Sequence, residues 1–318
     1  MPNRTEAGVE YLQDRITGVS VVIPCKNEEK AVGMTISNVI QAMEHTQVEY
    51  EVIIVDDGST DGTQREAVAA GARVLVHKKN MGYGNSIMDG MTIAKYPVIT
   101  IMDADGTYPA EMLPEMIEEA NSHDMVIGTR IWTRKNTTFR GRMLRKALYY
   151  VILYLSNVKA PDFNSGLRVF RKLNTLDHRA VLCPTFSFTT SQTLLYLMTG
   201  RSVKFMPMKY DVRIGKSKVA PLRDALKTFS YVFLMANLFQ AYRMALIFIF
   251  IAIMANLAIA VMAKLFDFSL GVQIGMYSTI VIGILSSLIA LNVQPTTKLY
   301  VNRIRGSSRI LHKPQQTI

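Results

Sequence analysis

Two carboxylates separated by one residue, Asp103 and Asp105, close an apolar run over residues 98–102. Carboxylates at i and i+2 in the turn after a strand can face the same side. Hard oxygen donors of this kind suit Mg2+ or Mn2+, ions that also bind phosphate oxygens. Acidic residues end strands for turn formation alone as well, so the pair takes its meaning from its company. Pro24-Cys25-Lys26-Asn27-Glu28 follows one β-branched run, Asp56-Asp57-Gly58-Ser59-Thr60-Asp61-Gly62 a second, and Asn80-Met81-Gly82-Tyr83-Gly84-Asn85 a third. Glu28 and Asp57 suit sugar hydroxyls and base N–H donors; the plainer reading is a helix N-cap at Asn27 and a turn over residues 56–58. Further on, Gly128-Thr129-Arg130 and Asp162-Phe163-Asn164-Ser165-Gly166-Leu167-Arg168 supply two guanidinium forks that match phosphate oxygens, and Arg213-x-Gly215-x-Ser217-Lys218 adds two more cations.

The elements between these clusters must bring them together. Apolar, β-branched runs at 19–23, 52–55, 73–76, 98–102 and 125–127 predict strands, with helical composition from 27–29 to about 43 and again over 60–70. Strands spaced by helices make βαβ units and a mostly parallel sheet, in which ligands bind beyond the C-terminal strand ends. The clusters at 24–28, 56–61 and 103–105 all fall at that edge. An α/β domain over residues 1–220 is the expectation.

The tail has a different character. Residues 244–263 carry no charge over 20 positions, and 268–293 none over 26. About 20 apolar residues span a bilayer core, so both are expected to be transmembrane helices, with 295–318 a basic tail. Before them Leu222, Leu226, Phe229 and Phe233 recur at helical spacing among charged residues, which predicts an interfacial amphipathic helix within 221–243. Arg243, Lys298, Arg303, Arg305, Arg309 and Lys313 lie on one side of the two spans, the pattern of a cytoplasmic face. A further basic run, Arg134, Arg140, Arg142, Arg145 and Lys146, leads into apolar residues 148–155 and suits anionic headgroups, or else a solvated helix face. The chain as a whole has 318 residues, 36 Lys+Arg against 25 Asp+Glu and 49% hydrophobic residues. Apolar and basic together fit an anionic membrane face or phosphorylated ligands. Nucleic acid is not expected as a partner, because no basic helix with interleaved aromatics and no zinc or RNA-binding signature is present. Cys25 and Cys183 are isolated and the five His scattered, which argues against a zinc site. The first residues carry Arg4, Glu6, Glu10 and Asp14 with no apolar stretch, so no signal peptide is expected there.

The Pro24-x-x-Asn27-Glu28 and Asp56-Asp57-x-Ser59-x-Asp61 patterns resemble those of family-two glycosyltransferases with a GT-A fold. The segments Gly128-Thr129-Arg130, Asp162-x-x-Ser165-Gly166-x-Arg168 and Arg213-x-Gly215-x-Ser217-Lys218 are similar to those of polyprenyl-phosphate members such as dolichyl-phosphate mannose or glucose synthases. The resemblance covers roughly residues 19–220. It implies an enzyme that moves a sugar from a nucleotide-sugar to a polyprenyl phosphate with inversion. Asp103 and Asp105 would hold the metal against the donor diphosphate; Pro24, Glu28, Asp57 and Asn80 would line the nucleotide pocket. Arg130, Asp162, Ser165 and Arg168 would meet the acceptor phosphate, and Arg213 and Lys218 would close over donor or acceptor. The sequence departs from the mannose-synthase pattern at Thr107, where many relatives have Gln, which weakens a third donor contact there and any vote for mannose. Two other readings compete. A processive polysaccharide synthase would carry Gln-x-x-Arg-Trp, whereas the single Trp132 is preceded at that offset by Thr129. A non-catalytic nucleotide-sugar-binding membrane subunit would not need donor, metal and acceptor residues together. A homo-oligomer is compatible with the sequence.

Overall fold

The computed structural model describes residues 15–131, 139–210 and 221–266, with a few positions between 271 and 286. In chain order the elements are β1 Gly18–Cys25, α1 Val32–Glu44, β2 Glu49–Asp56, α2 Thr63–Ala69, β3 Arg73–Val76, α3 Tyr83–Ile93, β4 Val98–Ile101, α4 Leu113–Glu119, β5 Met125–Arg130, α5 Phe139–Ser156, β6 Arg168–Arg171, α6 Lys172–Leu176, α7 Phe188–Met198, β7 Val203–Met208, α8 Pro221–Phe239 and α9 Ala241–Phe266. The seven strands form one sheet in the order β3-β2-β1-β4-β6-β5-β7. All neighbours are parallel except β6, which runs antiparallel to both β4 and β5. All eight residues of β1 are buried, as a central strand covered on both faces requires, and this explains its unbroken apolar run.

Both faces of the sheet are covered. One carries α1 and α4, whose Val32, Ile36, Val39, Met43, Leu113 and Met116 meet Val21, Ile23 and Ile54 of the strands. The other carries α3 and α7, with parts of α5, α8 and α9 packed outside them. The expected strands at 19–23, 52–55, 73–76, 98–102 and 125–127 are all present. Helix α1 starts at Val32 and not at Asn27; its N-cap position is Ala31, without a side-chain cap. Asn27 instead takes a left-handed conformation, φ 50°.

The tail begins with α8, which buries Val232, Met235 and Ala236 against the core and leaves Phe229 and Phe233 exposed. An apolar face therefore remains outward on a helix otherwise docked to the domain. Helix α9 contains the first expected span: Ala241–Met262 is 22 residues of mean hydropathy 2.7, with only 17% of its most apolar window buried. It is long and apolar enough to cross a membrane. The second expected span, 268–293, and the basic tail lie largely outside the described residues. Arg243, at the start of α9, donates to the carbonyls of Tyr154 and, at 2.9 Å, Leu155, the last turn of α5. It thereby satisfies carbonyls that the helix itself leaves without donors.

Candidate active site

The parallel strands present their C-terminal ends at one edge, and β6, being antiparallel, brings its first residue to the same edge: Arg168 lies opposite Ile101 and Ile127. The loops that leave β1 and β2 there are sewn together. Asn27 Oδ1 accepts from Thr60 N at 2.8 Å, Asn27 N donates to Ser59 Oγ at 2.8 Å, and Glu28 N donates to Thr63 Oγ1 at 2.8 Å. Asp56 holds Ser59, and Asp61 holds Thr63. Burial works to raise the Asp61 carboxyl, but the hydrogen bonds from Thr63 and Glu29 outweigh it and hold the group below its usual value. Pro24 is buried in β1 and the Glu28 side chain is part-exposed at the loop. Asp57 is 6% exposed. Its carboxylate accepts from Met81 N at 2.6 Å and Gly82 N at 2.9 Å, with His77 Nδ1 at 3.0 Å. Asp57 thus fastens the loop after β3 to the end of β2, and exposed Asn80 lies within that loop. His77 Nε2 in turn faces Asp89 at 3.4 Å, which Arg179 also contacts at 3.0 Å.

After β4 the chain turns through Asp103 and Asp105. Asp105 is buried at 2% exposure, and its Oδ1 accepts from Thr107 N at 3.1 Å and Thr107 Oγ1 at 2.6 Å. Thr107, the departure noted in sequence, spends its hydroxyl on orienting Asp105. Asp103 is more accessible. Its Oδ1 accepts from the Tyr83 hydroxyl at 2.8 Å. On its other side is Gly166, where a Cβ would come within 2.9–3.0 Å of the two carboxylate oxygens. Only glycine permits that approach. Gly166 N donates to the Tyr108 hydroxyl at 2.7 Å. Burial, joined by the negative charge of Asp103, pushes the Tyr83 and Tyr108 phenols up, so both stay protonated at neutral pH.

The arginines diverge. Arg130 makes a bidentate pair with Asp162, Nε to Oδ2 at 2.7 Å and Nη2 to Oδ1 at 2.9 Å, and its backbone N donates to the same carboxylate at 3.2 Å. Its guanidinium lies 5.3 Å from the centroid of Tyr210, which packs edge-on against Tyr108. Burial alone would lower this guanidinium; the hydrogen bonds to Asp162 reverse that and raise it. Arg168 is wholly buried. It donates to the carbonyls of Ser165, Thr189 and Phe163, to Gln192 Oε1 at 3.0 Å and to Thr193 Oγ1 at 3.2 Å. Desolvation pulls its guanidinium down to about 10. The expectation that Arg168 offers its fork to an acceptor phosphate is corrected here: its donors are directed at the protein interior. Ser165 is buried too, and its hydroxyl has no hydrogen-bond partner among the described residues. Arg213, Lys218 and Arg134 lie outside the described residues.

Sequence reasoning missed Tyr83, Tyr108, His77 and the polar stretch of α7. Tyr83 stood inside the glycine-rich loop and Tyr108 three residues after Asp105, but nothing local says that either reaches the acidic pair. For α7 there was a signal: Thr189-Thr190-Ser191-Gln192-Thr193 interrupts an apolar helix, and all eleven residues of α7 are buried. Buried polar side chains need partners, and Arg168 is one.

The site can be tested for a divalent ion. Asp103 and Asp105 supply hard oxygens at one strand end, and among the described residues no cluster of three or more His, Cys, Asp or Glu could hold a metal. Two carboxylates fit an ion whose remaining positions are filled by phosphate oxygens and water, as Mg2+ prefers.

Comparison with known proteins agrees with this architecture. Over 171 residues the chain is 34% identical to an undecaprenyl-phosphate 4-deoxy-4-formamido-L-arabinose transferase of Aeromonas hydrophila, a match covering 52% of this chain and 51% of that one. The chain thus spans about half the length of such relatives. It is 29% identical over 214 residues to a dolichyl-phosphate hexose transferase of Haloferax volcanii, covering 67% of this chain and 90% of that protein. Among solved structures, glucosyl-3-phosphoglycerate synthase of Mycobacterium tuberculosis, in complex with Mn2+, UDP and phosphoglyceric acid, superposes with a TM-score of 0.54 at 18% identity over 69% of this chain and 78% of that one; at that identity the likeness speaks for the fold. The model of glycosyl transferase family 2 matches residues 20–190, more than half of the sequence, and the chain belongs to that family.

Proposed function

We propose that this protein transfers a sugar from a UDP- or GDP-linked donor to a polyprenyl phosphate at the cytoplasmic face of a membrane, with inversion at the anomeric carbon. The observation that carries the reading is the placement of Asp103 and the Arg130–Asp162 pair at one sheet edge, linked through Tyr108, Tyr210 and Gly166, in a chain whose later helices α8 and α9 include one long and apolar enough to cross a membrane. The names of the relatives, transferases onto undecaprenyl and dolichyl phosphate, support the acceptor class. The Mycobacterium tuberculosis synthase, solved with Mn2+ or Mg2+ and UDP, supports a nucleotide donor and a divalent ion.

In this reading a phosphate oxygen of the lipid attacks the anomeric carbon in line with the departing nucleoside diphosphate. One carbon–oxygen bond forms as the other breaks, and no proton need move, because the nucleophile is already anionic. The work of the protein is therefore positioning and charge complementarity. Asp103 and Asp105 would hold Mg2+ or Mn2+, which when bound offsets negative charge on the leaving diphosphate. The loops stitched by Asn27, Asp57 and Asp61 form the nucleotide side, where Pro24, Glu28 and Asn80 line the pocket. Arg130, fixed by Asp162, would face the acceptor phosphate with Ser165, and Arg213 and Lys218, which lie outside the described residues, would contribute cations to donor or acceptor. Residues 244–294 form two membrane spans, and the outward Phe229 and Phe233 of α8 rest in the interface.

Incubation of the full-length protein with radiolabelled UDP- and GDP-sugars and a short polyprenyl phosphate tests this directly. Label extractable into organic solvent is the expected result. Insoluble polymer would favour a processive synthase, and no transfer from any donor would overturn an enzymatic reading.

A further inference from the structure

The glycine-rich segment after β3 is fastened at three points. Met81 N and Gly82 N both donate to Asp57. Gly82 has φ 99°, and a Cβ there would meet the Pro184 carbonyl at 2.9 Å. Asn85 N donates to that carbonyl at 2.9 Å. The backbone on both sides of Tyr83 is therefore fixed before its side chain is considered. From this anchored start of α3 the Tyr83 ring crosses to the end of β4, lies tilted against Phe186 with centroids 6.2 Å apart, and donates its hydroxyl to Asp103 Oδ1 at 2.8 Å. Gly166 lies against the same carboxylate, both of whose oxygens a Cβ there would meet at 2.9–3.0 Å. Three consecutive residues, 81 to 83, thus hold two carboxylates from two different strand ends, one on the nucleotide side and one on the metal side.

We infer that Tyr83 is a positioning residue for the metal-binding carboxylate, its hydroxyl fixing the orientation of Asp103 and thereby setting the affinity for the divalent ion. The inference rests on the proposed metal role of Asp103. The physical reason is preorganisation. A carboxylate free to rotate loses conformational freedom when it meets an ion, whereas one already held by a donor on one oxygen keeps the other oriented. Removing such outer partners typically weakens metal binding by about 10–100-fold. Orientation is the effect expected to dominate, because Tyr83 is part-buried and its backbone is anchored on both sides.

The test is Tyr83→Phe in the full-length protein, which keeps the ring against Phe186 and removes only the hydroxyl. Free Mn2+ is followed by electron paramagnetic resonance during titration in the presence of UDP and, in parallel, GDP. About tenfold weaker Mn2+ binding is expected, with the KM for Mn2+ in the transfer reaction raised in parallel and kcat at saturating Mn2+ retained. Phe186→Leu alters the packing of the same ring and leaves the hydroxyl, so Mn2+ affinity should be kept. Unchanged Mn2+ affinity in Tyr83→Phe overturns the inference, as does an equal loss in Phe186→Leu, which would make packing the cause. Asp103→Ala separates the two levels. If it too leaves Mn2+ binding intact, the metal role of Asp103 falls; if it abolishes binding while Tyr83→Phe does not, only the inference about Tyr83 falls.

Discussion

Arg130 and Arg168 end or begin adjacent strands, both follow short glycine-containing motifs, and both were expected at an acceptor phosphate, yet the structure treats them oppositely. The Arg130 side chain keeps 14% of its surface, and the Asp162 carboxylate takes two of its donors. Arg168 keeps none and has no carboxylate among its hydrogen-bond partners; carbonyls and the amide and hydroxyl of α7 receive it. A guanidinium that keeps part of its surface at a site edge can meet a ligand anion there. One surrounded by neutral acceptors in the interior ties its neighbours together, and here it binds the 163–165 turn to α7. The residue type states what chemistry is available, and depth decides whether it is used on a ligand or on the fold.

The largest effect is expected of Arg168→Met. It leaves the carbonyls of Phe163, Ser165 and Thr189 and the Gln192 amide short of donors in a dry interior. A loss of about 3–5 kcal/mol is expected, read as a large fall in the denaturation midpoint of the detergent-solubilised protein. Arg168→Lys should recover little, because one ammonium cannot reach acceptors spread around a planar fork. A variant that stays stable and loses only affinity for the lipid phosphate would return Arg168 to the acceptor.

This difference also shows what could be read in advance. Strands β1, β2, β4 and β5 were legible because strands largely buried on both faces are written as apolar, β-branched runs; β3, an edge strand with exposed ends, was legible from its short Val-Leu-Val run alone. β6 is Arg-Val-Phe-Arg, and β7 contains Lys204 and Pro207, tolerable because β7 is an edge strand; neither carries that pattern. Asp103 and Asp105 were legible from spacing and from the clusters at neighbouring strand ends. The Tyr83–Asp103 and His77–Asp57 contacts, each between residues 20 apart in sequence, were not. They depend on how α3 and the loop before it are set against the strand ends, which only the assembled sheet determines. Arg168 was expected to offer its fork to an acceptor phosphate, and the structure buries it, since nothing in the segment 162–168 encodes its depth.

Arg130→Lys is the next step down. Charge is kept, but the bidentate fit to Asp162 is lost, and the cation shifts relative to the site. Misplacement of this order costs about 10–100-fold in transfer rate, expected mainly in the acceptor KM, with a smaller fall in stability than Arg168→Met. Equal stability losses in the two variants would erase the distinction drawn here. Gly166→Ala acts between the arginines. Its methyl must displace the Asp103 carboxylate or the turn, so about 1 kcal/mol of stability and about tenfold in rate should be lost together. Normal kinetics in this variant would show that Asp103 has room to spare and weaken its place in the site.

The smallest expected effect is at Ser165, three residues from Arg168. Its carbonyl receives the buried arginine, while its own hydroxyl is buried without a partner among the described residues. A buried hydroxyl with nothing to bond costs stability, so Ser165→Ala should leave the midpoint unchanged or raise it by up to about 1 kcal/mol. If the hydroxyl is kept for the acceptor, the KM for polyprenyl phosphate should rise about fivefold, the worth of one neutral hydrogen bond. A fall in midpoint with unaltered kinetics would place Ser165 with Arg168 on the structural side. A stable variant with a weakened acceptor would place it with Arg130, and the boundary between binding and framework would then run between the hydroxyl and the carbonyl of one residue.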